Sequence, residues 1–160
     1  MSVGTYLNTR GEVVIANSAT PTGIQDLTET TASTITNSAT VPIRFSPFQN
    51  GGMNIVYDSL ATEDSGRGLD GYNHITWIIS RARKVELILP PCTAAFSAQV
   101  LNRVLGKHFY IIYWDIATNQ EKAIYAYCSN GRGSQYSGVL RNNGLYTGVS
   151  FNAIEVKGET

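Results

Sequence analysis

Two stretches concentrate the side chains that active sites use. EDSGRGLDGYNH, residues 63–74, holds Ser65, Arg67, Asp64, Asp70 and His74 between glycines, and NGRGSQYSG, residues 130–138, sets Arg132 and Tyr136 in similar company. A phosphate cradle needs its glycines between a strand and a helix N-terminus, with a lysine or the helix dipole to hold the anion. Here the first loop leads into ITWII, a β-prone run, and Glu63, Asp64 and Asp70 outnumber Arg67, so an anion is repelled. A serine–histidine–aspartate site fares no better. The chain has two histidines, His74 and His108. His108 follows Lys107 just past a helical stretch, where positive charge is ordinary. There is no GxSxG elbow and no pair of carboxylates on a shared strand face. Cys92 and Cys128 are far apart and outside any CxxC pattern, so with two histidines they make no metal set and no disulfide framework. The expectation is a non-enzyme with no catalytic residue, cofactor or metal, and two buried thiols in a reducing compartment, with a single Cys92–Cys128 bridge as the alternative.

The same loops suit contact with another protein. Glycines give freedom, while charged and aromatic side chains give directional bonds. Ordering such loops costs about 1–2 kcal/mol per residue, which is offset when they order against a partner. Asp64, Arg67, Asp70, Tyr72, Arg132, Tyr136 and Arg141 are therefore the expected subunit-interface residues. Composition agrees. Twelve basic and twelve acidic residues cancel, which gives no general attraction to nucleic acid or an anionic membrane. Charged residues make up 15% of the chain, low against a usual value of about 25%, and nine tyrosines suit an interface. The opening MSVGTYLNTRGEVV has neither a basic segment nor an apolar core, so no secretory leader is expected, and no apolar run is long enough to span a membrane.

The elements that must position these loops are mostly strands. Residues 1–40 read as a Thr/Ser-rich N-terminal arm, because TETTASTITNSAT (28–40) has Ile35 as its one large apolar residue. Threonine favours extended backbone, so the arm is expected to lie extended on a neighbour, with EVVIA (12–16) as a short strand. Residues 41–160 read as the domain. VPIRFSPF, MNIVYDS, ITWIISRARKVELIL, HFYIIYWD, AIYAYCS and LYTGVSFNAIEV have β character, with a hairpin at IATNQEK. PPCTAAFSAQVLNRVLG reads as one helix over about 94–105, with Thr93 as N-cap and Gly106 just past its end. Phe96, Val100, Leu101, Val104 and Leu105 form its apolar face. The fold class expected is mainly β, a β-sandwich or small barrel of six to seven strands with one flanking helix.

From residue 58 to 156 the order of features is DSGRGLDG, SRARKVELIL, the capped helix, FYIIYWD and GLYTGVSFNAIEV. This order resembles a family of small virion structural proteins of tailed bacteriophages, of the tail and baseplate group. The resemblance implies a tail-tube-like β-fold assembled as a homo-oligomeric ring, in which loops and terminal arms reach onto neighbouring subunits and other virion proteins. It also implies synthesis in the host cytoplasm and a place in the virion, with no small-molecule substrate. About 45 residues precede the shared part, and tail, baseplate, neck and capsid attachment all stay open. The alternative is a carbohydrate-binding β-sandwich used in host recognition, which requires exposed aromatics on one face. Tyr110, Ile112 and Trp114 alternate with Phe109, Ile111 and Tyr113, a doubly apolar strand that favours core or subunit contact instead.

Overall fold

The computed structural model describes residues 5–38, 40–47, 52–61, 66–67, 71, 73–74, 77–135 and 146–156; of 58–61, 66–67, 73–74, 77–81, 133–135 and 147 it describes the backbone alone. The elements are β1 (Val13–Ala16), β2 (Gln25–Asp26), β3 (Ile43–Phe45), β4 (Met53–Ala61), β5 (Gly66–Arg67), β6 (Asn73–His74), β7 (Trp77–Ile88), α1 (Ala94–Val104), β8 (His108–Asp115), β9 (Gln120–Tyr127), β10 (Gly131–Gln135) and β11 (Tyr146–Glu155). Nine strands form one sheet in the order β2-β3-β1-β8-β9-β11-β7-β4, with β10 also on β11, and β5 pairs with β6 in a separate ribbon. Among the described residues the fold is thus mainly β with a single helix, and the sheet does not close into a barrel. The described strands outnumber the six or seven expected because short pieces, invisible to periodicity, add to them: β2 on β3, β10 on β11, and the separate β5–β6 pair.

The sheet coils strongly. In a flat sheet β4 and β8 stand four strands, about 19 Å, apart. Yet the Tyr57 hydroxyl of β4 donates to Asp115 Oδ1 of β8 at 2.6 Å. The coil encloses the core. Val13 and Ile15, Ile43 and Phe45, Val85 and Leu87, Phe109, Ile111 and Tyr113, and Val149, Phe151 and Ala153 all point into it. Helix α1 covers the open side with Phe96, Val100 and Val104, and Phe96 meets Phe45 edge to face with ring centroids 6.3 Å apart. Local signals start and stop this helix. The Thr93 hydroxyl accepts from the Phe96 N–H at 3.3 Å, and Gly106 sits at φ +69, a conformation costly for any residue with a Cβ. Leu105, expected on the apolar face, is 45% exposed because the chain turns extended there.

The N-terminal region is not an arm in the described residues. β1 lies in mid-sheet, paired to β3 and β8, with all four residues buried. The Thr-rich stretch is not extended either. Thr31 Oγ1 accepts from the Thr28 N–H and donates to the Asp26 carbonyl, both at 2.9 Å, and the Ala32 and Ile35 N–H groups bond back to Thr28 and Thr31 carbonyls. Threonine hydroxyls offer the backbone such local partners, and turns result in place of strand. These turns bury Leu27, Ala32 and Ile35 in the main core. The helix fastens them. Gln99 Nε2 donates to the Ala32 and Ile35 carbonyls at 2.9 and 2.6 Å, and the buried Arg103 donates to the carbonyls of Thr36 and Val41 at 2.8 Å each. Among the described residues the packing therefore has no boundary at residue 40, where the sequence reading divides an arm from a domain.

Candidate functional site

The outer face of the sheet divides into three zones, each set by strand register. The first lies over β1, β8 and the start of β9. Here residues 5–10 run as a strap across the sheet. The Glu121 carboxylate accepts from the backbone N–H groups of Thr5, Tyr6 and Leu7 at 3.1–3.2 Å. Leu7 then fills a small second core with Val14, Ala16 and Ile112. Arg10 places its guanidinium 4.6 Å from the centroid of the Trp114 ring, and Arg44 holds the strap's base through the Tyr6 carbonyl, Asp26 and Glu12. The Asp26 hydrogen bond raises the already high Arg44 pKa.

The middle zone is open and apolar. One cross-strand row reads Val56, Lys84, Ile154, Tyr127, His108 from β4 to β8. The neighbouring row holds Val156, Tyr125 and Tyr110, since the Val156 N–H donates to the Tyr125 carbonyl and Tyr110 lies opposite Tyr125. Tyr125 is 44% exposed, Tyr127 at the end of β9 40% and Val156 just past β11 49%, high values for large apolar side chains. The rings pack on one another. His108 stacks on Tyr125 at 5.3 Å and 15°, and Tyr110 leans against Tyr125 at 5.0 Å. The third zone is polar. Asn54, Glu86 and Asn152 form one row, and Ile88, Ser150 and Arg132 the next, together lining a shallow groove. Asn152 uses its amide oxygen on the Ser129 and Asn130 N–H groups, which bridges the irregular step between β9 and β10.

A second polar constellation is buried inside the coil. Arg83 and Asp115, both with no side-chain exposure, approach to 3.5 Å. Asp115 also accepts from Tyr57 and, through Oδ2, from the Thr118 hydroxyl at 2.7 Å and N–H at 3.2 Å. Burial pushes the Asp115 carboxyl up, but the bonds from Tyr57 and Thr118 and the Arg83 charge outweigh it, and the net shift is downward. Burial and the Asp115 bond raise Tyr57, and burial raises Tyr113 strongly. Glu155 adds an acceptor for the Arg83 backbone N–H at 3.0 Å. The cluster ties edge strand β4 to β8 and closes the coil. Its arginine and aspartate present no surface to a substrate, so its evident work is structural. Among the described residues no group of three His, Cys, Asp or Glu side chains is placed to hold a metal. Both cysteines are free thiols: Cys92 is buried, and burial pushes it up to about 11, whereas Cys128 is half-buried.

The expected interface residues fare unevenly. Arg132 is exposed on β10 opposite Ser150, at the polar groove. Of its segment, expected as a loop, Gly131–Gln135 form a strand that resumes the path of β9 along β11 after the irregular step at 128–130, and 136–138 lie outside the described residues. Arg67 lies in β5, paired with Asn73, and only its backbone is described. Asp64, Asp70, Tyr72, Tyr136 and Arg141 lie outside the described residues. The middle zone escaped sequence reasoning. A signal existed in the alternation of Tyr125 and Tyr127 with Ile124 and Ala126, but alternation says only that two faces differ, not which is covered. Among the described residues no helix is long and apolar enough to cross a membrane. Comparison with protein-family models, curated proteins and solved structures finds no match to this chain.

Proposed function

We propose that this chain is a non-enzymatic structural subunit that assembles with copies of itself, a tail or baseplate component of a phage virion made in the host cytoplasm. The observation that carries the self-assembly reading is the open apolar zone around Tyr125, Tyr127 and Val156. Exposed aromatic and aliphatic groups gathered on one sheet face are typical of protein contacts. The virion assignment rests on the order of motifs over residues 58–156. The interface is placed on the sheet face rather than on an N-terminal arm, whose residues pack into the subunit's own core. A sugar platform needs free ring faces, and the packing of His108 and Tyr110 against Tyr125 covers part of them, which favours protein over glycan. Light scattering over a concentration series, with negative-stain images, tests the reading. The expected result is a mass rising to multiples of 17.4 kDa. A strict monomer that binds on a glycan array overturns it.

A further inference from the structure

The strap over β1, β8 and β9 is held by carboxylates rather than by a strand ladder. None of residues 5–10 belongs to a strand, and the backbone N–H groups of Thr5 to Thr9 all end on glutamate oxygens. Thr5, Tyr6 and Leu7 donate to Glu121 on β9. Asn8 and Thr9 donate to Glu12 at 2.9 and 3.4 Å, in a turn that the Glu12 N–H closes on the Thr9 carbonyl at 3.3 Å. One side chain of the strap, Leu7, is buried, while those of Thr5, Asn8, Thr9 and Arg10 are exposed. Leu7 belongs to the small second core, which is separate from the main one. The floor beneath it is Val14, Ala16, Ile112 and Ala123. These residues are fixed without the strap, because β1, β8 and β9 are bonded into the sheet through their own ladders. The floor also continues into the open zone. Ala16 lies opposite Tyr110, and Ala123 is two residues before Tyr125 on the same face of β9.

We infer that the strap is a lid: residues 5–7 lift off as a unit about the turn at 8–12 while the sheet stays folded, and lifting uncovers the apolar floor. Segments with few buried apolar contacts open at lower free energy than the core, and independently of it. The lid meets that description with one buried side chain, and its lock is concentrated in one carboxylate. Three consecutive N–H groups converge on Glu121, a charge-assisted set that is lost together when that side chain lets go. Arg44 adds one bond to the Tyr6 carbonyl at 2.9 Å, and Arg10 over Trp114 adds a contact at the hinge. Glu12 holds the hinge and not the lid, so the turn persists as the lid opens. Closed, the lid separates the floor from the open zone. Open, it leaves one continuous apolar face from β1 to the end of β9. The inference concerns a single subunit and stands or falls apart from self-association.

Amide hydrogen exchange of the full chain, followed residue by residue by NMR at several low denaturant concentrations, tests this. In the wild type the Tyr6 and Leu7 amides are expected to exchange faster than those of Ile111 and Ile112 in β8. Their rates are expected to change little with denaturant, the mark of local opening. Glu121→Gln keeps the size of the side chain and removes its charge. It is expected to speed exchange at Tyr6 and Leu7 about tenfold or more, to leave Ile111 and Ile112 unchanged, and to keep a cooperative thermal transition. It is also expected to raise the fluorescence of the apolar dye anilinonaphthalene sulfonate, as the floor becomes accessible. Leu7→Ala is expected to do the same from the lid's own side. If Tyr6 and Leu7 of the wild type exchange together with the β8 amides, at the same rate and with the same denaturant slope, the segment is a fixed part of the fold and the lid is refuted. The same follows if Glu121→Gln speeds exchange in β8 as much as in the strap. Faster exchange with no added dye fluorescence in either variant means that the floor stays covered, and it overturns the inference as well.

Discussion

Removing residues 1–40 is expected to abolish folding of the remainder. Six aliphatic side chains in that span, Leu7, Val13, Val14, Ile15, Leu27 and Ile35, are at most 6% exposed. At about 1.5–3 kcal/mol each, their burial contributes on the order of 10 kcal/mol or more, as much as the whole stability of a typical domain, about 5–15 kcal/mol. The truncation also strips β3 of β1 and β2, its two partners, and exposes the outer edge of β8. Inside, Gln99 loses both carbonyls that its amide satisfies, and Arg103 loses the Thr36 carbonyl. Urea titration of the 41–160 fragment, followed by far- and near-ultraviolet circular dichroism, is the assay. The expected outcome is no near-ultraviolet signal and no cooperative transition. A cooperative transition, with a denaturant slope in proportion to the fragment's length, refutes the argument that these residues belong to the core. A milder form of the same test is Arg103→Met in the full chain, expected to cost about 3–5 kcal/mol because several charge-assisted bonds to backbone are lost at once.

Two further outcomes follow from the buried groups. Asp115 has its carboxyl held below the ordinary value in the folded state, so its contribution is full above the unfolded value, about 3.9, and is lost as pH falls through the folded one. Asp115→Asn is therefore expected to lower stability at neutral pH and to flatten the acid limb of a stability–pH profile; an unchanged acid limb removes Asp115 from the account. The two thiols are expected to react unequally with a disulfide reagent at pH 8. Cys128 is half-buried and reacts in the native protein, while Cys92, buried and pushed up to about 11, waits for unfolding. Equal native rates contradict the burial assigned to Cys92.

Local chemistry was readable from the chain itself. The helix declares its own limits through Pro90 and Pro91, Thr93 and Gly106, and the structure places it at Ala94–Val104. The doubly apolar run HFYIIYWD marks a central strand, and β8 is one, between β1 and β9. EVVIA held a strand, Val13–Ala16, as its β-branched residues suggest. These features depend on neighbours within a few residues, where capping, turn chemistry and side-chain periodicity act.

Where the segments end up was not readable. The Thr-rich stretch looks too polar to order itself. Its order comes from Gln99 and Arg103, more than sixty residues away, which hold its carbonyls over the helix. The strap depends likewise on Glu121, a glutamate on β9 that nothing in its own surroundings singles out. Tyr125 and Tyr127 belong to the same strand as Ile124 and Ala126, and period-two alternation separates the pairs. Only the coiling of the sheet decides that one pair faces the core and the other remains open. Periodicity is a property of one strand, whereas burial is a property of what the rest of the chain lays against it, and that is settled only by tertiary packing.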